Sequence, residues 1–193
     1  FGLTGLCAYI SGLKVIGSSA SSHDQNYFTS VDNNVEMENC HSELSGAGAS
    51  SAITFGASGA SGGGRIVLRN HTFKLGQSGQ RIKLLSEVRI HGASFASGTT
   101  TPAAIFALGS GTRGNGLVIE GLDCANLGNA FDFVVAAQGG TRVIIRDATV
   151  PSGWTGAPMP SAAARMGFEV ECYRTTKGGT PQRVWNRRAP HHQ

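Results

Sequence analysis

One short phrase returns six times along this chain, and it restricts the folds open to it. An apolar, any, apolar triplet is followed by one outward-type residue and then by Gly, Asn or Asp. The copies are Leu13-Lys14-Val15-Ile16-Gly17, Val35-Glu36-Met37-Glu38-Asn39, Ile66-Val67-Leu68-Arg69-Asn70, Val88-Arg89-Ile90-His91-Gly92, Leu117-Val118-Ile119-Glu120-Gly121 and Val143-Ile144-Ile145-Arg146-Asp147. A seventh, Phe168-Glu169-Val170-Glu171-Cys172, keeps the triplet and lacks the bend residue. Successive starts lie 22, 31, 22, 29, 26 and 25 residues apart. Self-similarity at such a period marks a stack of repeated units. The unit is built of strands, because alternation with a period of two sets the first and third residues on one face.

The fifth position says how the strands are joined. Gly and Asn, and less readily Asp, tolerate the left-handed backbone region, so they turn a chain sharply between two short strands. The expected fold is all-β: a single-stranded, right-handed parallel β-helix of about seven coils over residues 1–173, with a short irregular basic tail over 174–193. Coils stack about 4.8 Å apart, so seven make a rod of roughly 30 Å. A β-sandwich is the competing fold, and it carries hairpin signals at short intervals. The one Asn-Gly pair, Asn115-Gly116, sits immediately before a repeat start instead. The interior is expected to hold Val35, Met37, Ile66, Leu68, Val88, Ile90, Leu117, Ile119, Val143 and Ile145. Further strands are expected at Tyr27-Phe28, Ala52–Phe55, Ile82–Leu85, Ala104–Leu108 and Phe131–Val135, with Gly/Ser/Thr-rich loops projecting between them.

Aligned this way, the fourth position reads Ile16, Glu38, Arg69, His91, Glu120, Arg146, Glu171. Unlike charges then face each other at Glu38/Arg69, Glu120/Arg146 and Arg146/Glu171, each worth about 0.2–1 kcal/mol in a sheet. The eighth position, Ala20, Ser42, Phe73, Phe95, Cys124 and Val150, reads as a second interior stack.

Composition suits one modest domain wound from small residues. Of 193 residues 28 are Gly, only 15% are charged, and no apolar run approaches the roughly 20 needed to span a bilayer. No membrane association is expected. The chain opens at Phe1 rather than Met, without a basic leader, and so reads as processed or as part of a longer polypeptide. Its charge is uneven: residues 174–193 carry +5 against a total of +4, which leaves residues 1–173 at −1. Arg174, Arg183, Trp185, Arg187 and Arg188 in that tail are the candidate partner-binding residues, since Trp and Arg dominate interface energetics. The absence of basic character along the rod argues against a nucleic-acid binder.

Chemistry-bearing residues are sparse. Asp123 and Asp147, with Glu120 nearby, are the candidate catalytic carboxylates, because polysaccharide cleavage uses acidic pairs roughly 5–10 Å apart. Asp147 occupies the bend position, however, and Glu120 has Arg146 as an expected partner. His41, His71 and His91 fall in the seventh, sixth and fourth positions of their repeats, so no shared metal site is expected, and no cofactor. Cysteines 7, 40, 124 and 172 form no C-x-x-C pair. Cys124 reads as an interior residue, whereas Cys40 and Cys172 are the candidates for disulfide bonding outside the core.

The stretch from Ala52-Ile53 through Gly62-Gly63-Gly64-Arg65-Ile66-Val67-Leu68-Arg69-Asn70-His71-Thr72-Phe73-Lys74-Leu75 resembles the entry into pectate-lyase-like β-helices. The next coil, Ile82–Gly92, resembles their following segment, in which a Gly closes the strand. The likeness covers residues 52–95 well and the rest only as a general repeat. It departs from that family at Arg69-Asn70-His71, where a Pro-Gly bend is usual, and shows neither a calcium-binding Asp cluster nor a lyase-type basic motif. The resemblance extends to phage tailspikes, virion surface proteins and carbohydrate lyases, so it implies fold more than activity. Joined to the neutral body and basic tail, it leads to the expectation of a virion or extracellular structural protein. That protein is expected to act without catalysis, as a homotrimer with other virion proteins and a surface glycan as partners. A polysaccharide-active enzyme or carbohydrate-binding module is the alternative.

Overall fold

The computed structural model describes residues 7–17, 25–27, 34–45, 48–56, 64–108, 117–136, 142–157, 169–173, 176–177, 180–181 and 185–188. It is a parallel β-solenoid, with no helix among those residues. Four coils carry three strands each. They are β1 (Cys7–Ser11), β2 (Lys14–Ile16) and β3 (Gln25–Tyr27); β4 (Asn34–Glu38), β5 (His41–Glu43) and β6 (Ala52–Phe55); β7 (Arg65–Arg69), β8 (Thr72–Lys74) and β9 (Arg81–Leu84); and β10 (Glu87–His91), β11 (Ser94–Phe95) and β12 (Ala104–Leu108). The strands of successive coils pair in parallel to give three faces. The expected seven coils are therefore corrected to about four.

Beyond them the first face continues. It adds β13 (Leu117–Glu120), β15 (Arg142–Arg146) and β17 (Glu169–Tyr173), while the third face gains only β14 (Asp132–Ala136). The second face narrows to isolated bridges from Asp123 to Ser94 and to Thr149 before it resumes in short strands. The remaining strands are β16 (Thr149–Val150), β18 (Thr176–Lys177), β19 (Thr180–Pro181) and β20 (Trp185–Arg188). β20 pairs antiparallel with β17, which ends the parallel stacking of the first face.

The corner after the first face is made by the predicted bend residues, except that Gly12 stands where Gly17 was expected. Asn39, Asn70 and Asp147 have φ of 54°, 48° and 53°, and Gly12, Gly92 and Gly121 lie near 70°. Just past the corner the chain points inward, and Cys40, His71, Ala93, Leu122 and Ala148 are all buried. The ten predicted interior residues of the first face are each at most 3% exposed. From the second face Ser42, Phe73, Phe95, Cys124 and Val150 join them, as the eighth position predicts.

Two repeats are shifted from their expected places. Ala8-Tyr9-Ile10-Ser11-Gly12, not Leu13–Gly17, stands in register with Val35–Asn39. Leu13-Lys14-Val15 mimics the phrase because it turns the corner and enters β2, so Val15 replaces Ala20 beside Ser42 in the interior stack. At the other end Val143 faces Val170 rather than Phe168, and Arg146 faces Tyr173. Arg146 and Glu171 are therefore not directly opposed, as the alignment had them, but offset by two residues. Glu38 and Glu120 do stand opposite Arg69 and Arg146, yet their carboxylates turn elsewhere. Tyr9 donates to Glu38, Arg69 pairs with Glu36, and His91 Nδ1 lies 3.2 Å from Glu120.

Candidate functional site

The three candidate carboxylates occupy different local settings. Glu120 is the last residue of β13 and projects from the first face, where it meets His91. Asp123 lies past the corner in the line of the second face, and its Oδ1 caps its own turn by accepting from the Ala125 N–H at 2.9 Å. Asp147 forms the corner itself, in the left-handed region. The bend thus gives the three residues a strand end, a turn and a corner as their settings.

Cys40 is corrected as well. It is a free thiol with 1% exposure, its Sγ 3.3 Å from the Glu38 carbonyl, because the turn at Asn39 directs the next side chain inward. Cys172 lies on β17, five strands away from β4 on the first face, so a bridge within one chain would have to span roughly 24 Å against the usual 4.4–6.8 Å between Cα atoms. Cys124 is buried as expected, and burial pushes its thiol pKa up, which leaves it a small inert hydrophobe. Of the tail residues, Arg174 and Arg183 lie outside the described residues. Trp185, Arg187 and Arg188 belong to β20, opposite Cys172, Val170 and Glu169 respectively.

The most strongly shifted surface group is one the sequence reading passed over, Glu43. It ends β5 with a side chain only 11% exposed. Its Oε1 accepts from the Ser45 hydroxyl at 2.5 Å and lies 3.1 Å from Lys74 Nζ on the next coil. Its Oε2 lies 3.1 Å from His41 Nε2. The Ser45 hydroxyl above all, then Lys74 and His41, favour the ionised form over the opposing cost of burial and hold the pKa at about 2. A signal existed: Glu43 and Lys74 are the ninth residues of adjacent repeats, one place beyond the columns that alignment singled out, and they face each other in register.

Such a carboxylate stays ionised through the neutral range. It is too weak a base for proton transfer near pH 7, where an effective group has a pKa close to the working pH. What it does is clip coil 2 to coil 3. Because the folded pKa is depressed from 4.5, this stabilisation is complete above about pH 4.5 and declines as the pH falls toward 2. Glu43→Gln is expected to lower the melting temperature at pH 7 and to flatten the decline below pH 4.5, as read from thermal unfolding at a series of pH values.

Among the described residues no group of His, Cys, Asp and Glu has the arrangement to hold a metal ion. His41 projects from the second face and His91 from the first, while His71 lies in the core. No protein-family model, curated protein or solved structure matches this chain.

Proposed function

We propose that this chain is a structural component of a bacteriophage-like particle, a head decoration or tail attachment protein that works by assembly and surface binding on a virion or outside the cell. The resemblance of residues 52–95 to pectate-lyase-like β-helices, a group that includes tailspikes, supports this reading. The observation that carries it is the separation of Glu120, Asp123 and Asp147 onto a face, a turn and a corner. With its acids engaged locally, the rod offers shape and surface rather than a reaction centre. The basic segment from Arg174 onward supplies a salt-sensitive contact for an acidic neighbour.

The test is the mass of the protein in solution, with and without reductant. A trimer that survives reduction and weakens when residues 182–193 are removed is the expected result. A monomer under all conditions overturns the assembly reading. One feature favours a carbohydrate-binding module or polysaccharide-active enzyme instead. Tyr9, 62% exposed, lines a shallow groove of about 470 Å³ with Asn34, Glu36 and Arg65, and an open aromatic ring beside polar groups suits a sugar. Retention of a polysaccharide by the wild type, lost in Tyr9→Ala, or release of unsaturated products, lost in Asp123→Asn, would put this second reading first.

A further inference from the structure

The interior of coils 1 to 3 holds a polar file that no surface role uses. His71 is fully enclosed, edge-on to Phe55 at 5.9 Å between ring centroids and 4.5 Å from Phe73. Its Nε2 lies 2.9 Å from Ser42 Oγ, which lies 2.9 Å from the Tyr27 hydroxyl. The Tyr27 hydroxyl reaches Gln25 Oε1 at 3.5 Å, and Gln25 Nε2 donates to the Glu43 carbonyl at 2.6 Å. His71 Nδ1 has no hydrogen-bond partner among the described residues.

This file has a direction. If Nε2 carries the proton, His71 donates to Ser42, Ser42 to Tyr27 and Tyr27 to Gln25, and the orphan Nδ1 is only a bare lone pair. The reverse order would bury an orphan N–H, which is the costlier fault. The network therefore assigns the Nε2–H tautomer and a neutral ring.

We propose that His71 makes the joint between coils 2 and 3 an acid-sensitive seam: a proton on the closed stack would set an unpaired charge and an unpaired N–H in the core, so acid favours the opened stack, whose imidazole accepts it. No interior group among the described residues compensates. Tyr27 from β3 is joined to the ring through Ser42, and burial raises its phenol pKa, while Cys40, in the same column one coil before, brings no carboxylate. Phe55, Phe73, Ala93 and Phe95, from the coils around it, bring no charge. On the outer side of the second face, the Glu43 carboxylate is occupied by three donors, while Lys74 and a protonated His41 are cations that oppose another.

Burial foremost, then His41, holds the imidazole pKa down from 6.5 to about 3. The unfolded chain takes up the proton from about pH 6.5 downward and the folded chain does not until about 3, so stability falls with pH across that window. The loss approaches tenfold in the folding equilibrium constant per pH unit, or roughly 100-fold at pH 4.5. It begins two pH units above the window of Glu43, so the two are separable.

The test is urea unfolding of the wild type and His71→Leu at several pH values from 7.5 to 4.5. Leu suits this column, which already holds Leu122, and Ser42 keeps Tyr27 as a partner. The wild-type folding constant is expected to fall roughly 100-fold and that of His71→Leu less than about tenfold. Equal falls overturn the proposal. Should His71→Leu not fold, amide exchange of the wild type decides. The Thr72 and Ser94 N–H groups, bonded to the Cys40 and His71 carbonyls, should lose more protection on acidification than those of Gly121 and Thr149. A uniform loss overturns it equally.

Discussion

Leu68→Asp and Ile119→Asp are each expected to abolish folding. Both side chains are 0% exposed, on β7 and β13, and both point between coils that pair on either side. A carboxylate there meets only apolar neighbours. An unpaired buried charge costs several kcal/mol after relaxation, and the group escapes only by protonating or by opening the stack. Domains of this size have about 5–15 kcal/mol of stability in all, so one such change consumes most of it. Far-UV circular dichroism and solubility of the two variants measure the outcome. A native spectrum with an unchanged melting temperature in both would remove the column alignment on which the fold description rests.

Phe73→Ala is expected to cost about 3–5 kcal/mol, the range for aromatic truncation in a packed core. Phe73 is fully buried at the middle of an aromatic stack. Its ring lies 6.4 Å from Phe55, 4.5 Å from His71 and 5.9 Å from Phe95. Coils 2, 3 and 4 all contribute to that stack, so the neighbours are fixed by their own strands and cannot collapse into the space. The cost is therefore expected in the upper part of the range. Chemical denaturation at pH 7.5 reads it as a lower midpoint with an unchanged slope. A loss below about 1 kcal/mol would mean that the interior repacks freely.

The first face was legible because its signal is doubled. Apolar alternation sets which side chains point inward, and a left-handed residue at a constant offset marks where the strand stops, so Val35–Asn39 and the four repeats after it align without adjustment. The two ends were not. Ala8 is a weak apolar mark, and Leu13-Lys14-Val15 repeats the alternation on the following strand, so the first repeat was displaced onto β2. Near the other end the bend residue is missing and the frame moved by two. The short strands of the second face span only two or three residues, too few for a periodic signal.

The site was less legible than the fold. Glu120 and Asp123 are three residues apart, and nothing in their spacing shows that the corner at Gly121 sends them different ways. Column alignment identified two of the three opposed charge pairs of the first face, Glu38/Arg69 and Glu120/Arg146, and missed at Arg146/Glu171. Side-chain reach then decided the partners, and long arginines and glutamates reach diagonally as readily as straight across, as Arg69 and Glu36 do.

The corner residues carry a consequence for errors of winding. Their N–H groups also bond along the axis, from Gly12 to the Glu38 carbonyl, Asn39 to Arg69, Asn70 to His91, Gly92 to Glu120 and Gly121 to Arg146. A coil laid down one residue late would bring Leu13, Cys40, His71, Ala93, Leu122 or Ala148 to the left-handed position, at about 1–2 kcal/mol for each such coil. It would also turn that coil's apolar residues outward. Each turn thus carries its own check on the frame, and a slip cannot pass unnoticed to the next. A chain whose loops differ so much in length can still thread one register, because the corner restarts the count in every coil.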